Sequence, residues 1–359
     1  MNIMIAILLC FALLGAADKI FGGRLGVAES FDRGLDSMGS LCLSMAGIYC
    51  IAVTALSTNP AAIAALGKML PFDASVLAGA LLAPDLGGYA IASQVAASVP
   101  IGQYSGLLLA STLGGLISFV LPVSLGNLRT YEVMGFMQGI LWGVIALPAG
   151  LIAGAFLLGL PPLTLWQNLW PVLLLCVVLC VALRFVPRGC IAALTILGKG
   201  VWILGIVLFC VVAASAFLPT PIVPSALFAE VLTIVFKITL VVCGSMVACQ
   251  LLLVHCGKWI GMLAQKLGIN DYAVLGLLMS LVTSVSMLPL YSKMDVRGKV
   301  MNAAFTVSGA FVFGGQFAFV SSVTSGKPVA AYIICKLMGG CLAVLLAVKF
   351  TKNSAAAAI

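Results

Sequence analysis

Charge is the scarcest property of this 359-residue chain: Asp, Glu, Lys and Arg together make up 8% of it. A soluble globular domain carries about 25%. With 63% hydrophobic residues and a mean hydropathy of +1.25, the chain lacks the polar surface that a soluble enzyme or a nucleic-acid binder needs. Histidine occurs once, at His255, and the twelve cysteines contain no Cys-x-x-Cys pair. Nearly all of those cysteines sit inside apolar runs, where they read as small packing residues. No disulfide framework, metal centre or cofactor is expected. The run 2–17 has no basic segment before it, so it reads as a first membrane helix and not as a cleaved signal. Paired membrane carboxylates and a nucleophile with its base are also missing, which argues against an intramembrane enzyme. The net charge of +8 comes from basic residues spread singly between apolar runs, the pattern of anchored membrane loops.

What the chain has is apolar runs, at 2–17, 37–57, 74–97, 103–127, 131–159, 169–186, 200–218, 227–254, 272–290, 300–323 and 328–349. Spanning helices need about 20 residues each, so the whole chain is used up in membrane segments. Pro71, Pro100, Pro161-Pro162, Pro187, the 219–224 cluster, Gly268 and Pro328 punctuate them. Residues 18–36 mix Asp18, Lys19, Arg24, Glu29 and Arg33 with Phe21, Leu25 and Phe31, and predict an interfacial helix.

Two runs are interrupted. One reads from Asp73 through Ala-Pro-Asp85-Leu-Gly87-Gly88-Tyr89; the other reads from Asp271 through Val-Thr283-Ser284-Val-Ser286-Met-Leu-Pro289. Each is preceded by a run with a Gly-Ser step (Gly39-Ser40, Gly244-Ser245) and followed by one with a Gly pair (Gly114-Gly115, Gly314-Gly315). The repeated order of features predicts two repeats, 36–159 and 227–349, joined by helices in 160–226. Repeats with broken helices are a sequence sign of secondary transporters, with the substrate held between the copies.

Charge placement tests the topology. If all eleven runs cross, Lys and Arg divide evenly between the two sides, against the positive-inside tendency. If the interrupted runs are re-entrant hairpins, the inside receives Lys19, Arg24, Arg33, Arg129, Arg184, Arg188, Lys199, Lys258, Lys266, Lys293, Arg297, Lys299, Lys349 and Lys352. The outside receives only Lys68 and Lys327. The sequence therefore predicts an all-α polytopic membrane protein: about nine spanning helices plus two re-entrant hairpins in inverted repeats. The N-terminus is expected outside and the C-terminus inside. Non-helical backbone at that depth belongs where it is buried in protein or lines a cavity.

Asp85 is the strongest site candidate, because a carboxylate midway along an apolar run needs a cavity, a counter-ion or a substrate. It suits a cationic amine, with Gly87 and Gly88 allowing close backbone approach and Tyr89 adding a polar ring. A cap for the hairpin's second arm is the competing role. Thr283, Ser284 and Ser286 offer hydroxyls at the matching break, for a substrate or for freed backbone groups. Gln316 and Asn302 are intramembrane amides, fit for a ligand or for holding helices together. Ser111 and Thr112 lie near Gly114 and suit close helix packing. Lys237 and Lys336 read as snorkelling or paired lysines, and His255 as an interfacial residue. The loop from Lys293 to Lys299 reads as a positive-inside anchor, or as an inner gate latch with Asp295 and Arg297 as an ion pair.

Four stretches carry a resemblance: Phe31–Gly47, Leu77–Tyr89, Tyr104–Leu107 and Met294–Asn302, the last continuing through Ala304–Phe311. They resemble the ethanolamine permease family of ethanolamine-utilisation pathways (EutH), over about 28–127 and 268–348. The resemblance implies a multi-pass carrier for ethanolamine in a bacterial inner membrane, with Asp85, Gly87 and Gly88 on the family's Asp and Gly-Gly positions. The family pattern has Asn-Asn where this chain has Thr283-Ser284, and Gly-Asp-His where it has Gly314-Gly315-Gln316. The expected partners are a small-molecule amine and the lipid bilayer, not nucleic acid; a homo-oligomer is left open. The rival readings are a carrier of a neutral or anionic solute, nucleoside-like or carboxylate, and a non-transporting membrane sensor.

Overall fold

The computed structural model describes residues 3–58, 69–129, 131–255 and 257–351. Lys68, Lys352 and the alanines of 355–358 lie outside the described residues. Those described fold into helices and connecting turns, with no strand among them. Six helices among them are long and apolar enough to cross a bilayer: Ala28–Ala55, Val99–Leu125, Val133–Leu157, Pro162–Phe185, Ser225–Leu252 and Lys327–Phe350. Proline in the first turn starts several of the helices, where its missing N–H costs nothing.

Helices α1 (Ile3–Ile20) and α2 (Ala28–Thr58) are joined by a turn, so the stretch 18–36 is not one interfacial helix. The Asp18 carboxylate accepts from the backbone N–H groups of Leu25, Val27 and Ala28. It thereby caps the start of α2, which continues into the apolar run beyond.

The first interrupted run forms α3 (Ser75–Leu81), a tight turn at Pro84–Leu86, and α4 (Gly88–Val95). Its two ends are tied together. One Asp73 carboxylate oxygen accepts from Ser75 N–H at 2.9 Å and the other from Ala97 N–H at 2.9 Å, so residues 73 and 97 are neighbours. The Asp73 N–H itself donates to Asn168 Oδ1. Next comes α5 (99–127), α-helical at its ends and widened to π-type bonding over Tyr104–Gly114 and Leu116–Val120. Extended π-helix is rare and frequent at functional sites.

The chain continues through α6 (Val133–Leu157), α7 (Pro162–Phe185), α8 (Pro187–Ser215), α9 (Ser225–His255) and α10 (Gly257–Leu267). The second interrupted run forms α11 (Asp271–Ser280), a turn at Ser284–Met287, and α12 (Leu288–Tyr291). It too is tied at its base: Asn270 Nδ2 donates to Lys293 O at 2.8 Å, and Asn270 N–H donates to Asp295 Oδ1 at 2.9 Å. Asn270 caps α11 and Asp295 caps α13 (Val296–Ser308). A non-helical segment then leads to α14 (Gly315–Val323), and α15 (Lys327–Phe350) closes the fold.

The helices form two packed groups. In one, α2 lies against α9 and α8, with α1 on α9; in the other, α6 lies against α15 and α13. The α3–α4 hairpin packs on α5 and touches α2, and α11 packs on α13.

The tie at Asp73 yields a prediction. Asp73→Ala leaves two backbone donors without their acceptor, worth about 1–2 kcal/mol together since one is exposed to water. A lower melting temperature in detergent, measured by a thermal scan of the purified protein, is the expected result. An unchanged melting temperature would show that the carboxylate does not hold the hairpin's base.

Candidate functional site

The second interrupted run meets the unwound segment that follows α13. Phe311 N–H donates to Ser280 O and Phe313 N–H to Leu281 O, so the segment between α13 and α14 runs along the tip of the α11–α12 turn. The freed carbonyls are also answered: Tyr332 OH donates to Phe311 O at 2.7 Å, and Ser245 Oγ to Phe313 O at 2.6 Å. On the other hairpin, Ala83 N–H donates to Ser118 Oγ. Non-helical backbone in an apolar setting survives only with such partners. Phe311 sits at φ 63, in the left-handed region. For a non-glycine residue this costs about 1 kcal/mol or more and persists only where neighbours enforce it.

Bounded by α2, α8 and α9, by the two hairpins, by α5 and by the segment from Phe311 to Gln316 lies a cavity of about 840 Å³. Asp85 and Leu86 enter it from the first hairpin, Thr283, Val285 and Ser286 from the second, and Phe311, Gly315 and Gln316 from the second unwound segment. The remaining wall comes from α2 between Ser37 and Ile48, from Ser118 to Val123 of α5, and from Lys199 to Ile206 of α8. Val242 and Met246 of α9 complete it. The lining is mostly apolar with a few convergent polar groups, the usual composition of a small-molecule site.

The structure thus brings together four of the residues singled out in the sequence: Asp85, Thr283, Ser286 and Gln316. No side-chain donor among the described residues reaches Asp85, and the start of α4 has no side-chain cap. The capping role considered for Asp85 is therefore not the one it takes. Gly87 and Gly88 shape the tip instead. Gly87 takes φ 92, the turn that reverses the chain, and Gly88 N–H donates to Ala83 O. Tyr89 is half-buried with its ring edge-on to Phe319. Ser284 is buried beside the cavity lining. Asn302 is fully buried away from the cavity, where its amide donates to Ala273 O and Gly298 O and ties α13 to α11. The Ser111 and Thr112 hydroxyls donate to carbonyls of their own helix.

One residue has a larger place than the sequence reading gave it. Lys336 is 1% exposed, and its ammonium donates to Gln316 Oε1 at 2.8 Å and to Ser111 O at 2.7 Å. The signal was its depth. At 1.5 Å per residue, Lys336 lies about 13 Å from the start of α15 and about 21 Å from its end, too far for snorkelling to either surface. Lys237 lies as deep along α9 but is exposed, so burial and not depth alone sets Lys336 apart.

The model of the ethanolamine utilisation protein family EutH matches residues 1–350 of this chain. A probable ethanolamine permease EutH from Listeria monocytogenes is 33% identical over 97% of this chain and 93% of its own length. An uncharacterised Bacillus subtilis protein, YxeR, is 32% identical over 98% of this chain and 95% of its own. A probable ethanolamine permease EutH from Salmonella typhimurium is 29% identical over 100% and 97% respectively. No solved structure matches.

Proposed function

Because the chain belongs to the EutH family of ethanolamine utilisation proteins, we propose that it carries ethanolamine across the bacterial inner membrane by alternating access. The observation that carries this reading is the convergence of Asp85, Thr283, Ser286 and Gln316 on one cavity. Ethanolamine at neutral pH has an ammonium at one end and a hydroxyl two carbons away. Asp85 takes the ammonium, and Gln316 with Thr283 or Ser286 takes the hydroxyl. A site built to pair desolvated polar groups rejects analogues that leave one of them unpaired.

The two short hairpins are read as re-entrant. Each arm of α3 and α4 is 7 or 8 residues long, about 10–12 Å, well short of the roughly 30 Å apolar core. The ties at 73–97 and 270–295 bring the two ends of each hairpin together, which supports a return to the side it entered. Tertiary contacts agree with the side assigned by charge. Asp73 bonds Asn168, both expected outside, while Arg297 bonds Val348 O and Lys299 pairs with Glu132, all expected inside. The spans then number nine: the six long helices, α1, α8, and the broken α13–α14 pair. In the cycle, the group holding α6, α13 and α15 moves against the group holding α1, α2, α8 and α9. Asp85 and Thr283 are carried on the hairpins between the groups.

Counterflow in proteoliposomes tests the reading. Vesicles preloaded with unlabelled ethanolamine should accumulate labelled ethanolamine transiently, and small primary amines should compete while neutral alcohols should not. Competition by small carboxylates in place of amines would overturn the assignment of Asp85 as the substrate's partner.

A further inference from the structure

Lys336 stands in the centre of the fold with no ion-pair partner among the described residues. Its two hydrogen-bond acceptors, Gln316 Oε1 and Ser111 O, are neutral. The rings of Tyr332 and Phe311 lie 5.6 and 6.0 Å from its nitrogen. An ammonium has three donors, so one is left over. A buried cation held only by neutral groups is poorly compensated and is drawn to any carboxylate it can reach. The carboxylate that lines the same cavity as Gln316 is Asp85, and its turn packs against α14, the helix that carries Gln316. No ion pair joins Asp85 to Lys336 here: the pairs among the described residues are Lys19–Asp32, Arg33–Glu29 and Lys299–Glu132. Gln316 stands between the two, holding Lys336 by its oxygen while lining the same cavity as Asp85. The lysine stem is four flexible carbons, so its head can exchange partners without moving α15.

We propose that Lys336 is a tethered competitor of the substrate: its ammonium pairs with Asp85 when the carrier returns without cargo, and rests on Gln316 and Ser111 when a substrate ammonium holds Asp85. This rests on the reading of Asp85 as the amine's partner. The placement observed leaves Asp85 free of side-chain donors, which is the arrangement substrate binding needs. The consequence is a division between two modes of transport. Net uptake requires the substrate-free carrier to reorient, and the lysine neutralises Asp85 for that step. Exchange of substrate for substrate never uses the substrate-free step, so it does not need the lysine.

The test uses Lys336→Met and Lys336→Gln in proteoliposomes, with Asp85→Asn in parallel, measuring both net uptake into empty vesicles and exchange in preloaded ones. For the lysine variants, net uptake should fall about a hundredfold, the scale set by leaving a buried charge without its partner, while exchange stays close to wild type. A lysine variant that loses both modes equally, or neither, overturns the proposal. So does failure of both lysine variants to fold, since Lys336 would then be a structural tie. Asp85→Asn is expected to lose both modes. If it keeps both, the assignment of Asp85 itself fails, whatever the lysine variants do.

Discussion

Asp85→Asn is expected to cut the initial rate of ethanolamine uptake by about 30-fold or more while leaving the protein folded. Removing one partner from a desolvated charge pair costs about 2–5 kcal/mol, and every 1.4 kcal/mol is tenfold. Two observations separate this loss from damage to the fold. The Asp85 carboxylate is not used as the cap of α4, so the amide breaks no tie to that helix. The turn at Pro84–Leu86 is held by backbone bonds, with Leu86 and Gly88 N–H both donating to Ala83 O. Melting temperature and elution profile should therefore match the wild type. Uptake by equal amounts of reconstituted protein decides the matter. A rate within a factor of about two of wild type, far below the pair's expected worth, would remove Asp85 from the substrate site.

Much of this architecture was legible in the sequence because lipid imposes two simple constraints. Apolar runs must be helices, and polar residues within them need a reason. Asp85, Thr283, Ser286 and Gln316 stood out as polar breaks, and all four line the cavity. The Gly-Ser step at Gly244-Ser245 was visible as a repeated feature, and its serine proves to bond the freed carbonyl of Phe313. Less legible was anything that depends on chain segments far apart in sequence. The ties from Asp73 to Ala97 and from Asn270 to Lys293 close each hairpin, yet neither asparagine nor aspartate announces a partner more than twenty residues away. The role of Lys336 needed the three-dimensional meeting of α5, α14 and α15, because Ser111 is 225 residues distant. Asn302 could not be divided between ligand and interhelical tie on residue type alone; its two carbonyl acceptors make it a tie. The turn between α1 and α2 escaped because its charged and apolar residues alternate like an amphipathic helix, while Asp18 caps a new helix start.

The two Gly pairs, alike in sequence, should respond very differently to alanine at their first and second members. Gly114 packs against the backbone of the first hairpin, where an added Cβ would overlap the carbonyl oxygens of Leu82 and Gly79. Gly314 packs against the second, where a Cβ would overlap the carbonyl of Val282. The spacing is the same in both halves: 114 less 82 and 314 less 282 are each 32. In both places the obstacle is backbone, so no side-chain rotation relieves it. Gly115 would crowd Gln316 Nε2 at 2.9 Å, the far end of a flexible side chain, with Ala110 O at an ordinary 3.5 Å, and Gly315 would meet nothing nearer than Val242 at 3.9 Å. Gly114→Ala and Gly314→Ala should therefore push a hairpin tip off its seat, at a cost of about 3 kcal/mol or more, the upper range for overpacking. Since the tips carry Asp85 and Thr283, transport should be lost along with thermal stability. Gly315→Ala should change the melting temperature little, and Gly115→Ala should spare the fold while disturbing Gln316. Four single variants, each scanned for melting temperature and assayed for counterflow, make the comparison. Equal tolerance at all four positions would mean that the hairpin tips do not rest on these helices, and the cavity between them would lose its two opposing walls.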